Sequence, residues 1–197
     1  MSIVDDPHAL AAHCAQQLRA AAATVNALAV LSERLAAAAQ LMVGTLRAGG
    51  QVLTAGNGGS AAEAMHMAEE LVGRFRTNRR SLPAVALTAD GTALTCIGND
   101  FGFDALFARQ VEGLGRAGDL LVVFSTSGAA ANLRLAVAAA RQKSMRVLLL
   151  LGRGGGPLAG LGDIEIVVPD AEATERIQEA HQVVLHVLLD AVEQAFA

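Results

Sequence analysis

His66 and Glu70 stand four residues apart in Met65-His66-Met67-Ala68-Glu69-Glu70-Leu71, a spacing that puts both side chains on one face of a helix. An imidazole and a carboxylate so placed can hold a divalent cation or move a proton as an acid–base pair. The same pattern also occurs on plain solvated helix faces. Nearer the C-terminus runs Arg176-Ile177-Gln178-Glu179-Ala180-His181-Gln182-Val183-Val184-Leu185-His186. His186 there sits in an aliphatic stretch, and a lone histidine on an apolar face is more often a satisfied core residue than a ligand. Gln178 reads as a surface residue, and spacing alone promotes neither.

Two small-residue loops carry a different chemistry. Gly56-Asn57-Gly58-Gly59-Ser60 and Ser125-Thr126-Ser127-Gly128 each follow an apolar run and precede a helical one. Glycine lets backbone approach a ligand closely, and hydroxyls donate hydrogen bonds. A helix N-terminus adds unpaired N–H groups and the positive end of a dipole. Two such cradles fit one anionic, hydroxyl-rich ligand such as a sugar phosphate. Neither holds Lys or Arg, and no G-x-x-x-x-G-K-[ST] occurs, so a nucleoside triphosphate is a poor candidate.

The elements that must position these groups alternate. Residues 7–48 read as helix, in two segments that look like an oligomerisation element and end at Ala48-Gly49-Gly50. Strand-like runs follow at Val52–Ala55, Ala84–Leu87, Leu120–Phe124, Val147–Leu151 and Ile164–Val168, with helical stretches near 61–73, 103–113, 130–143 and 172–196. Almost wholly apolar strands predict a parallel sheet covered on both faces. Ligands of such sheets bind at the carboxyl ends of the strands, where both cradles fall. Gly152–Gly156 reads as a plain connection.

The 197 residues are expected to form one domain, with 53% hydrophobic and only 17% charged residues. That balance predicts burial between subunits. No apolar stretch is expected to reach the roughly 18 residues that span a bilayer, and no secretory leader opens the chain. Two distant cysteines, Cys14 and Cys96, point to a reducing cytoplasm. A net charge of −4 without a basic run argues against nucleic acid.

Taken in order, Gly56–Ser60, Met65–Leu71, Gly98-Asn99-Asp100-Phe101-Gly102-Phe103, Ser125–Gly128 and Arg176–His181 resemble the phosphoheptose isomerases of the sugar-isomerase (SIS) domain family. The resemblance covers nearly all of the chain after the N-terminal helices. It implies an α/β three-layer sandwich around a five-stranded parallel sheet, flavodoxin-like, preceded by N-terminal helices. It also implies an aldose–ketose isomerase converting D-sedoheptulose 7-phosphate to D-glycero-D-manno-heptose 7-phosphate, for bacterial nucleotide-activated heptose. By position, Asn57, Gly58, Gly59, Ser60, Glu70, Asn99, Asp100 and Gln178 would contact substrate, and Ser125, Thr126 and Ser127 would hold its phosphate. Glu70 and His186 would be the acid–base pair. Zinc, one per subunit, would sit on His66, Glu70, Gln178 and His186, with no organic cofactor. Such enzymes are homotetramers with active sites at subunit interfaces. Gln178 and His186 lie about 12 Å apart along a continuous helix, awkward for one metal unless the side chains lean together or come from different subunits.

Three departures bear on substrate. The isomerase pattern Ser-Thr-Ser-Gly-Asn-Ser ends here in Ala129 and Ala130, removing a hydroxyl whose bond to a charged group is worth about 1.5–3 kcal/mol. Ala61-Ala62-Glu63 replaces a common His-Cys-Asp, and Thr88–Gly91 runs one residue longer than in some relatives. The rival readings are an isomerase for another phosphosugar, a sugar-phosphate sensor, and a non-catalytic adaptor that binds the replication initiator. The last would keep the fold without Glu70 and His186.

Overall fold

The computed structural model describes residues 2–197. Five strands, β1 (Val52–Gly56), β2 (Ala84–Ala86), β3 (Leu120–Ser125), β4 (Arg146–Leu151) and β5 (Ile164–Val167), form one sheet in the order β2-β1-β3-β4-β5. All neighbouring pairs are parallel. β1 and β3 are buried along their whole length, as is β4 after Arg146. Side chains on both faces of these strands must therefore be apolar, which is why the sequence shows runs and not alternation. β2 is a short edge strand with every residue partly or fully exposed. The order reverses direction between β1 and β3, and a crevice opens at that switch point.

Seven α-helices complete the layers: α1 (Pro7–Ala27), α2 (Ser32–Arg47), α3 (Gly59–Val72), α4 (Gly91–Phe101), α5 (Leu106–Leu114), α6 (Ala131–Gln142) and α7 (Thr174–Phe196). Met42 and Leu46 of α2, Met67 and Leu71 of α3, and Val184 and Leu188 of α7 form the core on one face of the sheet. Phe107 and Val111 of α5 with Leu133 and Val137 of α6 form the core on the other. The result is the expected three-layer sandwich.

α1 starts at a strong signal: Asp6 accepts hydrogen bonds from the His8 and Ala9 N–H groups, and Pro7 occupies the first turn. None of its 21 residues is buried. A 3-10 turn, Leu28–Leu31, carries it into α2 with little break. The continuous segment Pro7–Arg47 is long and apolar enough, by length and composition alone, to cross a membrane, with 17% of its most apolar window buried. That corrects the expectation that no stretch approaches a bilayer span; Ala27-Leu28-Ala29-Val30-Leu31 keeps the chain apolar through the turn.

α4 is a helix the residue pattern did not predict. Gly91, Thr92, Thr95, Gly98 and Asn99 are poor helix formers, and only the short series Leu94, Ile97 and Phe101 keeps helical spacing, with Leu94 and Ile97 partly buried against the core. Asp90 caps it by accepting from the Thr92 and Ala93 N–H groups.

Candidate functional site

Both cradles lie at the carboxyl ends of β1 and β3, on either side of the switch point. In the first, Gly58 takes φ 58°, ψ −124°, a conformation that favours glycine, and α3 begins at Gly59 with no side-chain cap. The Ser60 and Ala61 N–H groups close the first turn on the Asn57 and Gly58 carbonyls, which leaves the Gly59 N–H at the helix start for an anion. In the second, the Ser125 Oγ accepts from the Gly128 N–H at 3.0 Å and the Ser127 Oγ from the Ala129 N–H at 3.3 Å. Those bonds shape the loop while both hydroxyl protons stay free to donate. Ala130 is the N-cap of α6 and offers no side-chain cap, so the hydroxyl missing from the sequence is missing at a helix N-terminus. A cleft of about 90 Å³ lies between the loops, lined in part by Asn57, Ser60, Ser125, Thr126, Ser127 and Ala130.

The two loops are tied together. The Asn57 and Asn132 carboxamides exchange a pair of hydrogen bonds, both 2.9 Å, and Asn132 is only 1% exposed. Asn57 is therefore in the cleft as expected, but its side chain is already engaged. Asn132 gave no signal in the sequence beyond its place three residues inside a helix start.

The glycine loop after β4 corrects its reading as a plain connection. A Cβ on Gly128 would overlap the Gly155 carbonyl, and one on Gly156 would overlap the Ser127 carbonyl. The Gly152 N–H donates to the Ser125 carbonyl and the Leu158 N–H to the Gly128 carbonyl. The loop is the back wall of the second cradle, and its glycines permit the close approach.

α3 and α7 lie side by side in the same direction, as successive pairings show. The Gln178 carboxamide packs against Gly59, leaving no room there for a side chain. His181 faces Glu63, and Gln182 meets His66. Further along, the His66 Nε2 is 3.2 Å from the Glu70 Oε1, and its ring lies edge-on to His186 with centroids 5.3 Å apart. The Gln182 Nε2 is 2.7 Å from the His66 Nδ1 and 3.2 Å from the His186 Nε2. His66, Glu70 and His186 are thus brought together, and the carboxamide between the histidines belongs to Gln182. Gln178, one turn earlier, stands at the first cradle. Gln182 went unnoticed because a glutamine one turn before a histidine on a long helix has no distinguishing pattern.

His186 is half-buried and stacks on Phe75, with ring centroids 5.7 Å apart. Phe75 is held by its neighbours: the Glu193 carboxylate accepts from the Arg76 N–H at 3.0 and 3.1 Å and from the Thr77 N–H at 2.6 Å, and Arg76 pairs with Asp190. Burial holds the His186 pKa below the ordinary histidine value, with His66 and Arg76 adding to the effect and Glu70 opposing it. The backbone bonds, Arg76 first, likewise lower the Glu193 pKa. Two imidazoles, a carboxylate and a carboxamide are donors that zinc accepts. As they stand they bond to one another, and among the described residues no three His, Cys, Asp or Glu side chains form a ready metal-holding group.

Asn99 and Asp100 are on α4, the helix that follows β2. Both are exposed at the end of α4, where Asn99 donates to Asp100 at 2.7 Å. None of their hydrogen bonds reaches a cradle or the His66 cluster. Arg176 is tied to α1 through the Gln17 carbonyl and to Glu179, so it is a structural part of its motif.

The SIS domain family profile matches residues 16–152. The phosphoheptose isomerase of Escherichia fergusonii is 51% identical over 160 residues, covering 81% of this chain and 83% of that one. The solved phosphoheptose isomerase of Neisseria gonorrhoeae is 45% identical and superposes with a TM-score of 0.83 over 94% of this chain and 97% of that one. That of Francisella tularensis is 38% identical, with a TM-score of 0.86 over 98% and 100%.

Proposed function

The chain belongs to the SIS domain family, on its phosphoheptose isomerase branch, and we propose that Glu70 and His186 are the acid–base pair of its reaction. It is an aldose–ketose isomerase that converts D-sedoheptulose 7-phosphate to D-glycero-D-manno-heptose 7-phosphate for heptose biosynthesis. The observation that carries the assignment of roles is the cluster of Glu70, His66 and His186 on helices whose other ends frame the phosphate cradles.

Such a reaction removes a proton from C1, beside the C2 carbonyl, and returns it to C2. Glu70, only 15% exposed, can take the proton and give it back across an enediol. His186, kept neutral by burial, can accept or donate the proton that moves between the two oxygens. Ser125, Thr126 and Ser127 donate to the phosphate, with the uncapped start of α6 and the Gly59 N–H of α3 beside them. Gly58, Gly59, Ser60 and Gln178 line the sugar's path. From Gly59 to Glu70 is eleven residues, about 16 Å of helix at the standard rise. An extended seven-carbon chain held by its terminal phosphate bridges much of that span. The Glu70 side chain, leaning back toward the N-terminus of α3, shortens it further.

The metal is zinc in this reading, held by His66, Glu70 and His186 with Gln182 as the adjacent carboxamide. A ligand role for Gln178 requires its side chain to leave Gly59. When bound, the ion polarises the carbonyl or orients these side chains. Self-association, which we assign as a homotetramer, is supported by α1, none of whose residues is buried, and by an apolar groove lined by Leu28, Leu35, Val183 and Val187. Asn99 and Asp100, exposed at the end of α4, are assigned to substrate contact in this or a neighbouring subunit's site.

The test is isomerisation of sedoheptulose 7-phosphate by purified protein, with and without added zinc, beside Glu70→Gln and His186→Ala. Turnover by the wild type that vanishes in both variants is expected. Turnover surviving in Glu70→Gln overturns the assignment.

A further inference from the structure

Between the cradle and the proton-transfer cluster, α3 and α7 meet over a buried polar pair that the mechanism does not use. Glu63 is 6% exposed and His181 is fully buried. The His181 Nδ1 lies 3.7 Å from the Glu63 Oε2, just beyond hydrogen-bond length. Neither carboxylate oxygen of Glu63 and neither ring nitrogen of His181 has another hydrogen-bond partner among the described residues. A small rotation of either side chain closes the gap. Burying such a pair costs more than an apolar pair of the same size, so it is a poor source of stability.

Its position supplies another use. Glu63 is one turn after Gly59 and three residues before His66. His181 is three residues after Gln178 and directly precedes Gln182, which contacts both His66 and His186. The His181 ring also sets its edge against Phe124, with centroids 6.1 Å apart, and Phe124 precedes the cradle residue Ser125. One contact thus fixes α3, α7 and β3 against each other midway between phosphate and reacting carbons.

We propose that Glu63 and His181 are a bonded positioning pair for the isomerisation, setting the register of α7 on α3 and acting on the chemistry through Gln182. The proposal rests on Glu70 and His186 as the acid–base pair. Removing a partner that orients such groups costs about 10- to 100-fold in activity. Because α7 also carries Gln178 to the first cradle, the loss is expected chiefly in kcat, with a smaller rise in KM. Glu63→Leu is expected to show that loss, and Glu63→Gln, which can still bond the imidazole, to recover most of it.

Independently of any variant's folding, wild-type protein labelled with 15N-histidine is expected to show a downfield His181 ring N–H that exchanges slowly with solvent. An unshifted or freely exchanging His181 N–H overturns the pairing. So does a Glu63→Leu protein with wild-type kcat, or a loss confined to KM. If the wild type itself does not turn over, the underlying acid–base reading has failed, whatever the His181 signal shows.

Discussion

Replacing Asn132 by Ala should weaken phosphosugar binding without touching a single group that contacts the reacting carbons. Asn132 and Asn57 exchange two hydrogen bonds of 2.9 Å across the cleft, in a place where Asn132 is 1% exposed. Each bond contributes a net of about 0.5–1.5 kcal/mol, and leaving the Asn57 carboxamide unpaired adds about 1–3 kcal/mol. About 2–6 kcal/mol of the free energy holding the loops together is therefore the expected loss. If half is felt by the bound substrate, KM rises about 5- to 140-fold, since 1.4 kcal/mol is a factor of ten. Asn132→Asp is the sharper variant: it keeps the shape but adds a negative charge beside the phosphate cradle, so KM should rise further than in Asn132→Ala. Steady-state kinetics with thermal melts of the same preparations give both numbers. An Asn132→Ala protein with wild-type KM and wild-type Tm would refute the reasoning, because it would mean the paired amides do not hold the cradles.

Four further outcomes follow from named contacts. Ala130→Ser supplies a cap to α6 and a hydroxyl to the cradle; it should lower KM and raise stability by about 0.5–2 kcal/mol, read by kinetics and denaturant melts. Gly128→Ala should lose phosphate binding and Gly155→Ala should weaken it, measured by calorimetric titration with the substrate, because a Cβ on Gly128 would overlap the Gly155 carbonyl, one on Gly155 would press on Ala159 at 3.0 Å, and both glycines sit at positive φ. In metal-free protein the His186 ring should titrate with a midpoint below 6.5, so that its neutral form persists to lower pH, and Glu70→Gln, which removes the opposing charge, should move it lower still; NMR titration of the ring protons checks both signs. The Glu193 carboxyl is lowered in the fold, so its stabilisation is present above the ordinary carboxylate pKa and is lost as pH falls; Glu193→Gln should lower Tm at neutral pH by an amount that shrinks toward about pH 4 in melts across that range.

The sheet was legible in the sequence because β1, β3 and β4 are buried on both faces and their apolar runs have no other reading. The cradles were legible because glycine and hydroxyl clusters after such strands have a specific backbone use. α4 was hidden, since its Gly and Thr content masks the short apolar series Leu94, Ile97 and Phe101. The span of apolar helix over Pro7–Arg47 was underrated because the turn between its two halves does not break it. Within the site, His66 and Glu70 announced themselves by helical spacing, whereas His186 looked like a core residue until Phe75 and Gln182 were seen around it. Gln182, Asn132, Glu63 and the Gly152–Gly156 wall act through contacts between segments far apart in the chain. Pairing across such distances is set by how α3 and α7 dock and how the β4 loop folds back, which no local pattern encodes.

The central claim is that Glu70 shuttles one proton between neighbouring carbons through an enediol. Running the conversion of sedoheptulose 7-phosphate in D2O and following the product by NMR tests it directly. The wild type should place solvent deuterium at C2 of the aldose in those turnovers where the Glu70 carboxyl exchanges its proton before returning it, and Glu70→Gln should show neither turnover nor exchange at C1 of the ketose. Turnover, or exchange at C1, undiminished in Glu70→Gln would contradict the account.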